Sequence, residues 1–182
     1  FVTREDRLWF RSPLRKFLFR GFNKVGLRGL ARWVGVKGQD RLVQRAMARI
    51  RQVLPQASFS IVGLGSPGLG APGVEDLRTR RMNVDTELDW CRAYGASQVV
   101  IGVHGSNMLL PTALAAACVE ILPEQRYENI VQDVTVRYSG RAQLFHYRFV
   151  SEFITPAGMA RLVRSLFRDR PVFMRNNHQN VF

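Results

Sequence analysis

The sequence predicts an α/β domain built on a mainly parallel sheet with helices on both faces. Apolar runs of strand length alternate with helix-length amphipathic segments, and parallel neighbours need such crossover connections. A hydrophobic content of 46% in 182 residues suffices for one core between packed layers. Residues 65–73, rich in glycine and proline, separate two of the apolar runs in the manner of a surface loop. One domain spanning residues 1–182 follows.

Residues 1–3 are short and apolar ahead of Arg4-Glu5-Asp6-Arg7, as in a strand that carries charged residues to a sheet edge. Ser12-Pro13 reads as an N-cap with proline at the first helical position. From there to Trp33 the chain is helical in tendency but broken by Gly21, Gly26 and Gly29. Arg15, Lys16, Arg20 and Lys24 alternate with Leu14, Phe17, Leu18 and Phe22 in this stretch. The alternation admits two readings, a face laid on an anionic membrane or an ordinary buried face. The second is favoured, because helices of α/β domains must bury one side.

A clearer helix follows, with Asp40 as cap, Leu42, Val43, Ala46, Met47 and Ile50 on one face, and Pro55 ending it. Arg41, Arg45 and Arg49 form a stripe on another face. Residues 57–64 read as a strand, and Asp85 as the cap of a helix reaching Tyr94, with Gly95 just beyond. Residues 98–103 form a buried strand, His104-Gly105-Ser106 a turn, and an alanine-rich helix runs to about Ala117. Residues 118–122 give the next strand. Residues 127–136 are helical, 143–150 a strand, and Thr155-Pro156 opens a helix bearing Met159, Leu162, Val163 and Leu166.

The 27 Lys and Arg against 14 acidic residues leave a formal net charge of +13, which attracts phosphate, nucleic acid or anionic lipid. No apolar run approaches a membrane span, so the fragment reads as cytoplasmic or peripheral on a membrane surface. Phe1 in place of Met suggests a piece of a longer chain. Cys91 and Cys118 lack metal-ligand or disulfide spacing and read as reduced core thiols.

The segment VVIGVHGSNMLLPTALAAACVEILP joins a buried strand, two glycine-flanked turns and an apolar helix. In an open α/β sheet the ligand crevice lies beyond the carboxyl ends of the strands. Gly102 and Gly105 would let backbone approach a ligand there. Amides around His104, Ser106 and Asn107 at a helix start would suit a diphosphate. Spacing alone leaves open that this is merely a tight turn with a structural histidine.

Together with the opening FVTREDR, the sequences GVHGSNMLLP and CVEILP resemble the donor-side domain of glycosyltransferase family 61. That resemblance implies a Rossmann-like sheet as one half of a GT-B architecture, and sugar transfer from a nucleotide-sugar with inversion. It implies no obligatory metal and no cofactor beyond the donor substrate; no Asp-x-Asp motif occurs. Arg4 and Arg7 would then offset the diphosphate charge. Glu120 could accept hydrogen bonds from ribose hydroxyls; the other readings are an outward residue on a strand or a partner for a nearby arginine, since a buried carboxylate needs some partner. Asn129 and Asp133 would share a helical face. A base for the acceptor hydroxyl could be His104, Asp133 or His146, or could belong to the other domain. The acceptor would be a glycan, a lipid-linked sugar or a protein. A nucleic-acid-binding module is the competing reading; it draws on the charge and the arginine stripe but has no helix-turn-helix, zinc or stacking pattern behind it.

Overall fold

The computed structural model of the chain describes residues 1–69, 71–129 and 146–168. In chain order it holds α1 (Pro13–Lys24), α2 (Arg28–Val53), β1 (Phe59–Ile61), β2 (Val74–Asp76), α3 (Val84–Gly95), β3 (Val100–Val103), α4 (Leu109–Leu114), β4 (Cys118–Leu122), β5 (Tyr147–Ser151) and α5 (Pro156–Arg168). Among the described residues every strand pair is parallel: β1 with β2, β3 with β4, and β4 with β5. The chain is therefore mixed α/β, as its alternating pattern predicts.

The two small sheets meet across residues 1–3. Val2 bridges Val62 on one side and Gly102 on the other, both in parallel sense. The backbone N–H of Val2 donates to Ile101 O at 2.8 Å, and that of Thr3 to Val62 O at 2.9 Å. Across the molecule the order runs β2, β1, the opening segment, β3, β4, β5. Successive strands thus build outward in one direction from the opening segment and then in the other.

Side chains alternate between the two faces, as the pleat requires. On one face Ile61, Ile101, Val103, Val119 and Ile121 pack with Leu42, Ala46 and Met47 of α2 and Met159 and Val163 of α5. On the other, Val2, Val62, Val100 and Cys118 pack with Trp90 and Tyr94 of α3 and with Met108. Helices cover both faces. The Cys118 thiol is buried, which pushes its pKa well up and keeps it protonated; Cys91 is half-buried.

Several boundaries differ from the sequence expectations for identifiable reasons. Asp40 does not cap a helix. It lies within the continuous α2 and accepts from Arg78 Nη1 at 3.0 Å. Asn83, not Asp85, caps α3, its Oδ1 accepting from Thr86 N at 2.8 Å. The helix after the glycine turn is shorter than expected: a 3-10 turn, Ser106–Met108, leads into the six residues of α4, which end at Leu114. The short β2 was absent from the sequence reading. The expected helix at 127–136 and the start of the strand at 143–150 lie largely outside the described residues.

The largest correction concerns α1. None of its residues is buried. Leu14 is 66% exposed and Phe17 70%, so the favoured buried-face reading of this stretch fails.

Candidate functional site

The site starts from the carboxyl end of the opening segment. Arg4 and Arg7 pair as an antiparallel bridge around a tight turn. Buried Gln39 of α2 holds that turn from beneath: its Oε1 accepts from Trp9 N at 3.0 Å and its Nε2 donates to Arg4 O at 3.2 Å. Arg4 itself is turned toward Asp6, with Nε to Oδ1 at 2.7 Å and Nη2 to Oδ2 at 2.8 Å. Its charge is thereby largely answered within the turn.

Arg7 points across to the loop that follows β3. Nη1 donates to Asn107 Oδ1 at 2.8 Å and to His104 O at 3.4 Å, and Nη2 reaches Ser106 Oγ at 3.5 Å. Arg126, from the turn after β4, donates to the same His104 carbonyl at 3.4 Å. Among the described residues neither Arg7 nor Arg126 has a carboxylate ion pair. Burial, followed by the neighbouring cations Arg126 and Arg4, lowers the Arg7 pKa from its ordinary value. A guanidinium stays charged under such a shift, so two cations are held together over one loop.

Gly105 makes that approach possible. Its φ of +147° is a conformation L side chains rarely adopt, and a Cβ there would stand 1.2 Å from Arg7 Nη1 and 2.9 Å from Arg126 Nη1. The room over Gly105 thus receives the Arg7 guanidinium. Gly102 serves packing instead of ligand approach: a Cβ would fall 2.4 Å from Met108 Sδ and 3.1 Å from Val2 Cβ. The amide-dipole expectation also needs correction, since α4 is too short to act as a helix terminus of much strength. Positive charge here comes from side chains.

Beside these cations a cavity of about 280 Å³ opens between the opening segment, α3 and α4. Its walls include Leu64, Trp90, Tyr94 and Leu110, with Arg4, Glu87, Ser106 and Asn107 as polar groups; Arg7 reaches it only through its contacts with Ser106 and Asn107. Ligand sites typically show this mixture of apolar wall and few polar groups. It lies where the strand order reverses direction, between the opening segment and β3, the position at which open parallel sheets bind ligands.

His104 and Glu120 form a separate, buried layer. They are 2% and 1% exposed. His104 Nδ1 hydrogen-bonds one carboxylate oxygen of Glu120, and the Tyr147 hydroxyl donates to the other. Burial, and then Glu120, raise the Tyr147 pKa strongly, so the phenol keeps its proton and serves as donor. Phe149 closes the layer edge-on, 4.7 Å from the Tyr147 ring centroid and 6.0 Å from that of His104. Glu120 therefore has the buried partners that its position demands, and it is not among the residues that line the cavity. His104 contributes its backbone carbonyl to the arginines, while its ring is sealed from an incoming acceptor.

His146 sits at the other end of the sheet, with Nδ1 2.8 Å from Ala116 O next to the start of β4. At roughly 3.3 Å per residue, the length of β4 puts it on the order of 10–15 Å from the loop. It does not join the site. Asp133 lies outside the described residues, and Asn129 is exposed. The structure thus gathers Arg4, Arg7, Gly105, Ser106 and Asn107 with the His104 backbone, and separates Gly102, Glu120 and His146 from them.

Arg126 is the site residue that sequence reasoning missed. Its signal was its place just past CVEILP, at the carboxyl end of the strand that pairs with β3. Among the described residues no three His, Cys, Asp or Glu side chains gather to hold a metal. Comparison with family models, with curated proteins and with solved structures yields no match to this chain.

Proposed function

We propose that this chain is the donor-binding half of a two-domain glycosyltransferase of GT-B type, with a Rossmann-like sheet whose reversal point receives a nucleotide-sugar. The observation that carries this reading is the convergence of Arg7 and Arg126, neither in a carboxylate ion pair among the described residues, on the loop 104–107 beside an apolar cavity. A diphosphate would take the guanidinium donors, and the nucleoside the space between Leu64, Trp90 and Tyr94. In an inverting transfer negative charge grows on the departing diphosphate, and fixed cations there stabilise the transition state more than the ground state. The likeness of GVHGSNMLLP and CVEILP to family 61 supplies the reaction class. The base and the glycan, lipid-linked or protein acceptor then belong to the second half, in keeping with the sealed ring of His104.

Charge-assisted contacts are worth roughly 1.5–3 kcal/mol each, or about 10- to 100-fold in affinity. Calorimetric titration of Arg7→Ala and Arg126→Ala with UDP, GDP and CDP should show such losses for whichever diphosphate the parent binds. Arg4→Ala should lose less, because Asp6 already answers its charge. Unaltered affinity in both folded variants would remove the diphosphate from this loop.

A further inference from the structure

In most amphipathic surface helices the apolar stripe faces the core. In α1 it faces outward. At 3.6 residues per turn, Leu14, Phe17 and Leu18 of α1, with Val25 at its C-cap, fall within a stripe roughly 100° wide. These side chains are 66%, 70%, 48% and 70% exposed. The inward side is instead held by a charged contact and an aromatic one. Lys16 Nζ bonds the buried Glu152 at 2.6 Å, and Phe19 packs on Phe10 with centroids 5.3 Å apart. Those contacts fix the rotation of the helix, so the apolar stripe is presented outward by the fold.

The surface continues onto α2. Leu30, Trp33 and Val34 are also exposed, and a groove of about 270 Å³ lined by Leu18, Phe22 and Val34 joins the two helices. Charge follows the same outline. Arg20 and Lys24 border the stripe on one side and Arg15 on the other, all exposed, and residues 8–39 contain no aspartate or glutamate. Contiguous exposed apolar surface of this kind marks an interaction site.

We infer that the α1–α2 hairpin docks on an anionic lipid surface, with Leu14, Phe17 and Trp33 entering the headgroup boundary and Arg15, Arg20 and Lys24 meeting lipid phosphates. Charge complementarity selects this occupant. An apolar stripe wholly bordered by cations suits a surface that is apolar within and negative at its rim, the two conditions an anionic leaflet meets at one depth. Nucleic acid would use the cations and leave Leu14 and Phe17 in water. Among the described residues no helix is long and apolar enough to cross a membrane. The inference is independent of the nucleotide site.

The test is cosedimentation of the 182-residue chain with phosphatidylcholine vesicles, with and without phosphatidylserine. Binding should be at least about tenfold stronger with phosphatidylserine and should weaken as salt is added. The double substitution Leu14→Ser with Phe17→Ser should lower it about tenfold while leaving the melting temperature in place, since both side chains are already in solvent. Arg20→Glu with Lys24→Glu should abolish the preference for the anionic vesicles. No binding by the parent, equal binding to both vesicles, or full binding by the Ser variant would overturn the proposal. So would concentration-dependent self-association that the Ser variant removes, which would make this face a contact between copies of the chain.

Discussion

Gly105 shows how much a single position can carry. Its backbone conformation and the guanidinium above it both exclude a side chain, and the second constraint links it to Arg7. Gly105→Ala should therefore act on ligand binding through Arg7: the methyl group drives the guanidinium off Asn107 and Ser106. A double-mutant cycle separates this from a general loosening of the loop. The variant carrying both Gly105→Ala and Arg7→Ala should bind diphosphate no worse than Arg7→Ala alone, when each is measured in folded protein. Additive losses would mean that Gly105 acts by a route other than Arg7, such as Arg126, whose Nη1 would stand 2.9 Å from the added methyl group. The sequence made Gly105 conspicuous by its place in a glycine-flanked turn between a buried strand and an apolar helix, where backbone can approach a neighbour closely. It could not reveal that neighbour, which is a side chain from the far end of the chain. The same limit hid the His104–Glu120–Tyr147 layer, whose members share a site only once β3, β4 and β5 lie in register.

At the scale of elements, the loop between β1 and β2 is fastened by charge. Asp76 accepts from the amides of Gly68 and Leu69 at 2.9 Å each and pairs with Arg78 at 2.7 Å, while Arg78 also holds Asp40 of α2. Burial alone would raise the Asp76 pKa, but the Arg78 hydrogen bond and the two amides outweigh it and hold the carboxyl well below the usual carboxylate range. For Asp40 burial outweighs Arg78, and its pKa is raised. The two shifts have opposite consequences. A depressed folded pKa contributes stability above the unfolded value of roughly 3.9 and loses it as pH falls toward the folded value; the Asp40 contribution is instead lost as pH rises. Asp76 has the larger fastening role, so acidification below about pH 4 should destabilise the parent. Asp76→Asn should melt lower at neutral pH and show a flatter acid limb in thermal denaturation. A variant with an acid limb as steep as the parent's would assign the acid sensitivity elsewhere.

Elements whose apolar period is strong were legible in the sequence. Leu42, Val43, Ala46, Met47 and Ile50 of α2, the run Cys118–Leu122 and the stripe Met159, Val163 and Leu166 of α5 all lie where the pattern places them, whereas the buried Ala31 and Gln39 of α2 lie before the point at which the pattern starts that helix. Boundaries failed where local chemistry had a distant use. Asp40 resembles a cap by type, yet its carboxylate serves Arg78. β2 is three residues long with Glu75 exposed, too short for alternation to stand out. For α1 the pattern marked an amphipathic helix, but the buried-face reading favoured for it turned the apolar stripe the wrong way. The observed orientation depends on Lys16 finding Glu152, a contact made only in the folded chain.

Over the whole molecule, the parallel strands that diverge from the opening segment bring its carboxyl end beside that of β3. This puts Arg7 opposite loop 104–107 and opens the cavity beneath Trp90 and Tyr94. A net charge of +13 adds a general attraction for any polyanion. The exposed stripe of Arg41, Arg45 and Arg49 on the outer side of α2 offers nucleic acid a different place to bind. Salt separates the two cases in part, since contacts with many phosphates are lost steeply as ionic strength rises. Ligand specificity separates them fully. The most direct measurement is the shift in melting temperature on adding UDP, GDP, CDP and their sugar conjugates, beside single-stranded DNA and RNA, at matched ionic strength near physiological. A ligand that binds the folded chain alone must raise its stability. At least one nucleoside diphosphate should raise the melting temperature, the corresponding monophosphate should raise it less, and Arg7→Ala should suppress the shift. Stabilisation by the oligonucleotides with none from any nucleoside diphosphate would contradict the donor-site reading.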